Sequence, residues 1–171
     1  MSQPVSIFWF RRDLRLHDNA GLYHALKGPH PVLPLFIFDT NILDELEDRK
    51  DARVEFLQQT LKELSDTLKN SGSTIVIRHG APIHVWQALL LEFDIQAVYT
   101  NRDYEPYAVK RDEAIQQMLQ SRDIPLHSYK DQVIFEKGEV VKDDGLPYTV
   151  FTPYSRKWKS VLQNRVDQHL T

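Results

Sequence analysis

The sequence predicts an α/β domain: a Rossmann-like, doubly wound sheet of five parallel strands with helices on both faces, followed by a short β-hairpin and a C-terminal helix. Three observations carry this. Five short runs rich in β-branched and aromatic residues, at 5–10, 32–39, 73–79, 96–101 and 124–129, are each followed or preceded by a segment of helical period. The first run, VSIFWF, stops at Arg11-Arg12-Asp13, as a buried strand does on reaching the edge of its sheet. After Tyr129 the alternation ends and short runs gather around a turn signal instead.

The helices can be placed from their apolar spacing. Residues 51–70 carry Val54, Leu57, Leu61, Leu64 and Leu68 at steps of three and four and close at Ser71-Gly72, so this stripe belongs to the core. A second helix begins at Pro106, a residue favoured in the first turn, and turns Ile115, Met118 and Leu119 inward. Stepping back four residues from Ile115 reaches Arg111, so the apolar face runs into a charge near the helix start, and that charge either snorkels or lines something polar. Arg53 lies in the first turn of its own helix with the same two readings. Asp39, at the end of the second strand, reads as a turn-former or a site residue. In the tail, 133–135, 139–141 and 148–151 flank Asp143-Asp-Gly145 and suggest short antiparallel strands. Thr152-Pro153 then offers an N-cap and first-turn proline to a helix with Tyr154, Trp158, Val161, Leu162 and Arg165 on one face. The expected division is an α/β domain over 1–132 and a hairpin with a linker helix over 133–171.

Composition limits the function. The 171 residues are 42% apolar and carry 21 Lys and Arg against 24 Asp and Glu, a net charge of −3, so any nucleic-acid contact must be local rather than a broad basic face. No cysteine is present, which excludes a disulfide framework, a thiolate metal site and a cysteine nucleophile and fits a reducing cytoplasm. The longest apolar run, around Pro34, is far shorter than the roughly 20 residues of a spanning helix, so no membrane role is expected. The sequence lacks G-x-G-x-x-G, the phosphate-loop pattern, H-E-x-x-H among its seven histidines, and G-x-S-x-G. Ordinary dinucleotide binding, phosphate-loop hydrolysis, a zinc site and that class of serine hydrolase are therefore disfavoured.

In a doubly wound sheet the ligand site is the crevice at the carboxyl ends of the strands where strand order reverses. With strand one central, that crevice lies between the ends of strands one and four. These ends carry Phe10-Arg11-Arg12-Asp13 and Asn101-Arg102-Asp103-Tyr104-Glu105, and the helix from Arg53 starts nearby. An aromatic ring, guanidinium forks and carboxylates suit a flat heterocycle with polar edges. The candidate site is Phe10, Arg11, Arg53, Asp103, Glu105 and Arg111. Arg11, Arg12, Arg15, Asp13 and Asp18 can also pair across the loop and cap the next helix, and for Asp13 and Arg15 this structural reading is preferred to ligand contact.

Three segments in order then resemble one family. Residues 9–19, WFRRDLRLHDN, resemble the amino-terminal signature of DNA photolyases and cryptochromes. Residues 101–107, NRDYEPY, followed by Lys110-Arg-Asp112, look like the family's fourth strand and the helix after it, and 148–158, YTVFTPYSRKW, resemble the place where its α/β domain ends. The resemblance implies a deoxyribodipyrimidine photo-lyase, a DNA repair flavoprotein that splits cyclobutane pyrimidine dimers using light and FAD, with FAD and damaged DNA bound by a helical domain beyond this segment. This segment alone would be inactive and would bind the antenna chromophore. In deazaflavin and flavin members the contacting arginine and acids match Arg53, Asp103 and Glu105, with Arg111 following. Folate members have an Asn-Glu pair where this chain has Tyr107 and Ala108, so a deazaflavin or FMN is favoured over folate. A cryptochrome, a nucleotide-binding α/β module of another family and a structural domain with an empty crevice are the rivals. The stripe on the last helix should dock on the helical domain; without it, the helix should mediate self-association or lack order.

Overall fold

The computed structural model describes residues 3–46 and 51–169, with side chains of the last helix described as far as Arg165, and the chain divides into two compact units, 1–132 and 133–171. The first unit holds an all-parallel sheet of five strands: β1 (Pro4–Phe10), β2 (Val32–Asp39), β3 (Val76–Gly80), β4 (Asp94–Asn101) and β5 (Leu126–Tyr129). Their order is β3-β2-β1-β4-β5. The chain winds outward from β1 through β2 and β3, then returns to the other side of β1 for β4 and β5. This reversal puts the switch point between β1 and β4, as the sequence predicts.

The connecting helices are α1 (Ala20–Leu26), a single-turn α2 (Thr40–Leu43), α3 (Ala52–Asn70), α4 (Pro82–Glu92) and α5 (Pro106–Gln120). They cover both sheet faces, and each face has its own core. Ile7 and Trp9 of β1 pack with Leu35, Trp86, Val98 and Ile115 on one side. Phe8 and Phe10 pack with Leu22, Phe36, Leu61 and Leu64 on the other. Successive side chains of a strand point to opposite faces, so four consecutive large residues can all be buried only in a strand covered on both sides. Each such side chain contributes roughly 1.5–3 kcal/mol by leaving water. In α3 the carboxylate of Asp51 accepts from the backbone N–H of Arg53, Leu61, Leu64 and Leu68 are buried, and the turn after the helix uses Gly72 at φ 72°.

The tip of β4 is tied to the loop after β1 by a buried polar network. Asn101, 1% exposed, donates from Nδ2 to Asp13 Oδ2 at 2.5 Å and to Asn19 Oδ1 at 2.8 Å, and its Oδ1 accepts from Gly21 N at 2.7 Å. Asn19 also caps α1, accepting from Leu22 N at 3.0 Å, while Asp13 accepts from Arg11 N at 2.8 Å. A Cβ on Gly21 would lie 2.7 Å from Asn101 Oδ1 and 2.9 Å from Phe8, so only glycine lets α1 approach this closely. Arg15 donates to the Asp18 carbonyl and to Asp131. The structural reading of Asp13 and Arg15 holds, with Asn19 rather than an aspartate as the cap.

The second unit corrects two expectations. No strand forms between 133 and 150. The turn at Asp143-Asp-Gly145 does form, with Gly145 N donating to the Lys142 carbonyl, Lys142 N to the Leu146 carbonyl and Gly145 at φ 79°. Pro147 has no N–H to donate, and a second glycine turn, Gly138 at φ 89°, interrupts the opposite arm, so the turn is not extended into a ladder. The final helix α6 (Phe151–His169) begins one residue before Thr152, which lies inside the first turn instead of capping it. Tyr154, Trp158, Val161, Leu162 and Arg165 are all half-buried while Arg156, Lys159 and Gln163 are exposed, so these residues share one face as read, but that face is partly covered within this unit and is not left open as an apolar patch. Trp158 meets Phe135 edge to face at 5.4 Å, and Arg165 donates to Glu139 at 2.7 Å.

The network at Asn101 supports a stability test. Asn101→Leu keeps the volume but leaves Gly21 N, Asp13 and Asn19 short of partners, and should lower unfolding free energy by about 3 kcal/mol in urea titration. A loss below about 1 kcal/mol would show that the network is dispensable.

Candidate functional site

A cavity of about 200 Å³ opens at the carboxyl ends of β1, β2 and β4. Its floor and one wall come from Trp9, Arg11 and Arg12 as β1 runs into its loop, and from Asp103, Glu105, Tyr107, Ala108 and Arg111 around the start of α5. The rest of the lining is apolar apart from Asp39: Phe36, Ile37 and Phe38 of β2, Ile42 and Leu43 of α2, Leu57 of α3 and Pro82 of α4. Charged groups and hydrocarbon thus share the lining, which suits a flat ring with a polar edge.

The polar wall is cross-linked. Arg11 and Arg111, with side chains only 7% and 9% exposed, both bond Asp112: Arg11 Nη1 to one carboxylate oxygen, Arg111 Nε and Nη2 to the other at 3.0 Å. Arg111 also lies 3.9 Å from Asp39 Oδ2. Both guanidinium groups sit over the Trp9 ring, at 4.9 Å for Arg111 and 5.4 Å for Arg11, an attraction between cation and π face. The Tyr107 hydroxyl donates to Asp39 Oδ2 at 2.6 Å and accepts from Asn41 Nδ2 at 3.1 Å. Burial pushes the Tyr107 phenol pKa up, and its hydrogen bond to Asp39 pushes it the same way. At the rim, Arg12 reaches Asp103 at 3.5 Å and Glu105 at 3.8 Å, with Asp103 buried and Glu105 exposed.

One polar atom in this wall is unmet. Arg11 Nη2 is buried and has no acceptor among the described residues. Leaving such a donor unpaired costs about 1–3 kcal/mol, more when it is charged, and a native site that keeps one faces an acceptor from elsewhere. The residues present thus fit a planar chromophore with a carbonyl or anionic edge.

The structure sorts the sequence-derived candidates. Arg11, Asp103, Glu105 and Arg111 come together around the cavity, and Asp39 joins them while also capping α2 through Asn41 N. Phe10 does not line the cavity: it is fully buried on the other sheet face, edge to face with Phe8 at 4.6 Å. Trp9, one residue earlier, is the aromatic on the cavity side, because Arg11 and Trp9 share a face at period two. Arg53 is outside the lining as well. Its side chain is 75% exposed and folds back on Asp51, donating from Nη2 at 2.6 Å, and this bond holds the Asp51 carboxyl at a pKa of about 2. The sequence reading also passed over Asp112, the shared partner of both arginines, and the apolar wall; the spacing Arg11-x-x-x with Lys110-Arg-Asp112 gave no sign that two distant arginines would meet on one carboxylate.

Comparison with known proteins gives a consistent result. The sequence model of the DNA photolyase family matches residues 6–170. A deoxyribodipyrimidine photo-lyase of Synechococcus is 34% identical over 160 residues, covering 94% of this chain and 33% of that protein, and an uncharacterized 31.6 kDa Synechococcus protein is 35% identical over 94% of this chain and 56% of its own length. A bacterial class III photolyase from Agrobacterium tumefaciens superposes with a TM-score of 0.77 at 31% identity, over 90% of this chain and 31% of the other. An archaeal photolyase from Sulfolobus tokodaii, described with two FAD molecules and an implied novel light-harvesting cofactor, gives 0.73 at 30% identity over 90% of this chain and 34% of the other. A Synechocystis cryptochrome, at 20% identity and 0.74, shares the fold. This chain spans about a third of the length of the photolyases it matches. No helix among the described residues is long and apolar enough to cross a membrane.

The raised Tyr107 pKa has a pH signature. The folded state holds that proton more tightly than the unfolded chain, so the associated stability is intact below the ordinary phenol value of 10.0 and is lost as pH rises past it. In chemical denaturation at stepped alkaline pH, wild type should lose stability more steeply above pH 10 than Tyr107→Phe. Superimposable slopes would mean that Tyr107 is no better retained as a neutral phenol in the fold.

Proposed function

Because the chain belongs to the DNA photolyase family, we propose that it is the α/β antenna domain of a deoxyribodipyrimidine photo-lyase and holds a deazaflavin or FMN in the cavity at the ends of β1, β2 and β4. Such a pigment, when bound, absorbs light and passes its excitation energy to a catalytic FAD. The observation that carries the reading is Arg11 Nη2, a buried cationic donor with no acceptor among the described residues, on an arginine that lines the cavity.

The residues divide the work of binding. Arg11 would offer its Nη2 N–H to a ring carbonyl or an anionic group as a charge-assisted bond. Arg111, fixed by Asp112 and lying 4.9 Å from the Trp9 ring and 5.8 Å from the Tyr107 ring, gives the cavity a positive charge held in place. Asp103 and Glu105 accept from hydroxyl or N–H groups at the mouth, and the wall formed by β2, α2 and Leu57 excludes water from the other ring face. At Tyr107 and Ala108 the cavity offers a phenol already bonded to Asp39 and a buried methyl group, with neither the amide nor the acid that the folate resemblance calls for. A deazaflavin or FMN is therefore preferred to folate.

At the level of the whole enzyme, the photolyase relatives support light-driven repair of cyclobutane pyrimidine dimers. FAD and damaged DNA would be held by a helical domain, the partner of this chain, in a cytoplasmic protein. The 171-residue chain by itself should bind pigment without repairing DNA.

Titration of the chain with FMN, a deazaflavin and a folate, followed by fluorescence, tests the reading. One of the first two should bind more tightly than folate, Arg11→Met should weaken it about tenfold or more, and Arg53→Ala should change it by less than about threefold. Failure of FMN and deazaflavin alike, or an Arg11→Met chain that binds as wild type does, would remove the proposal.

A further inference from the structure

A pigment in this cavity would be placed beside the side chain most prone to quench it. Trp9 lines the slot, and its indole packs edge to face on Trp86 at 5.5 Å. Indole is an electron-rich ring, and a photoexcited flavin is a strong one-electron oxidant. If such a pigment were bound and excited, one electron could pass to it from the indole of Trp9, leaving the indole as a radical cation. Its return restores both ground states and the excitation ends as heat. An antenna in contact with tryptophan would then lose its energy before transfer.

The nearest charged groups over Trp9 oppose that step. Arg111 lies 4.9 Å and Arg11 5.4 Å from the ring centroid, and both are almost fully buried, where charge is poorly screened. Among the described residues no cation sits over Trp86. Two like charges would repel each other at such range, but Asp112 gives one carboxylate oxygen to each guanidinium and so keeps both beside the indole. We propose that Arg11 and Arg111, held by Asp112, insulate Trp9 against oxidation, so that a flavin-type pigment in the cavity keeps its excited state. This rests on the antenna reading and adds a second task for the arginines. They bind the pigment, and by placing positive charge over Trp9 they raise the energy of its radical cation.

The test separates charge from packing. With FMN bound to the 171-residue chain, the excited-state lifetime of FMN is measured in wild type, Arg111→Met, Arg111→Lys and Arg111→Met combined with Trp9→Phe. The lifetime should shorten about threefold or more in Arg111→Met, stay near wild type in Arg111→Lys, and recover when Trp9 is also replaced. An unchanged lifetime in Arg111→Met, or a shortening that persists without Trp9, overturns the proposal. Failure of FMN to occupy the cavity counts against the antenna reading alone, because insulation has a second readout. Free FMN in solution is then used as a photosensitiser and oxidation at Trp9 and Trp86 is mapped by peptide mass spectrometry. The Trp9 to Trp86 ratio should rise about threefold in Arg111→Met and not in Arg111→Lys, and a ratio that does not move overturns the inference.

Discussion

A single buried amide, that of Asn101, joins the last residue of β4 to the loop that leaves β1. Its three hydrogen bonds are made away from water, where an unpaired partner is costly, so the loop has one well-determined path. Along that path Asp13 receives the Arg11 N–H, and Thr100, beside Asn101, donates to the Trp9 carbonyl at 3.1 Å. The backbone of residues 9–13 is thereby pinned to β4 at the point where strand order reverses. Everything on the polar wall follows from this. Arg11 can reach Asp112 and lie over Trp9 only if its Cα is held at the strand tip, and Asp103 enters the cavity because it is two residues beyond Asn101.

The cavity then combines two kinds of wall with different origins. The apolar side is an extension of the sheet core, where β2 runs out under α2 and α3 and some hydrocarbon is left facing an opening. The polar side is a set of ion pairs at low exposure, a costly arrangement unless nearly every hydrogen-bonding group is satisfied. Here nearly all are, and Arg11 Nη2 stands out for that reason. A fold that satisfies Asp112, Asp39 and Tyr107 and leaves one buried guanidinium nitrogen without an acceptor among the described residues carries a local conflict with stability, and binding-site residues are where such conflicts are expected.

Much of this arrangement was legible from the chain. Strand positions, the parallel sheet, the position of the switch point and four of the six proposed site residues follow from hydrophobic runs and from charge at strand ends. The errors have physical causes. Within VSIFWF both faces are apolar, so period two could not say whether Trp9 or Phe10 faces the cavity; only the burial of Arg11 beside Trp9 resolves it. Arg53 was placed by its helix start, but Asp51 two residues earlier captures its guanidinium, a local competition that spacing does not weigh. At 133–150 the Asp-Gly turn signal was sound, yet Pro147 and the Gly138 turn withhold the ladder that would make it a hairpin. The role of Asp112 depends on residues 101 positions apart meeting, which no local pattern encodes.

The most direct measurement is a crystal structure of the chain with FMN or a deazaflavin bound. The account predicts a planar ring between the Arg11–Arg111 wall and the β2–α2 wall, with an acceptor atom within hydrogen-bonding distance of Arg11 Nη2. A pigment bound elsewhere on the surface, with that nitrogen still lacking an acceptor and the slot closed by the protein's own side chains, would contradict it.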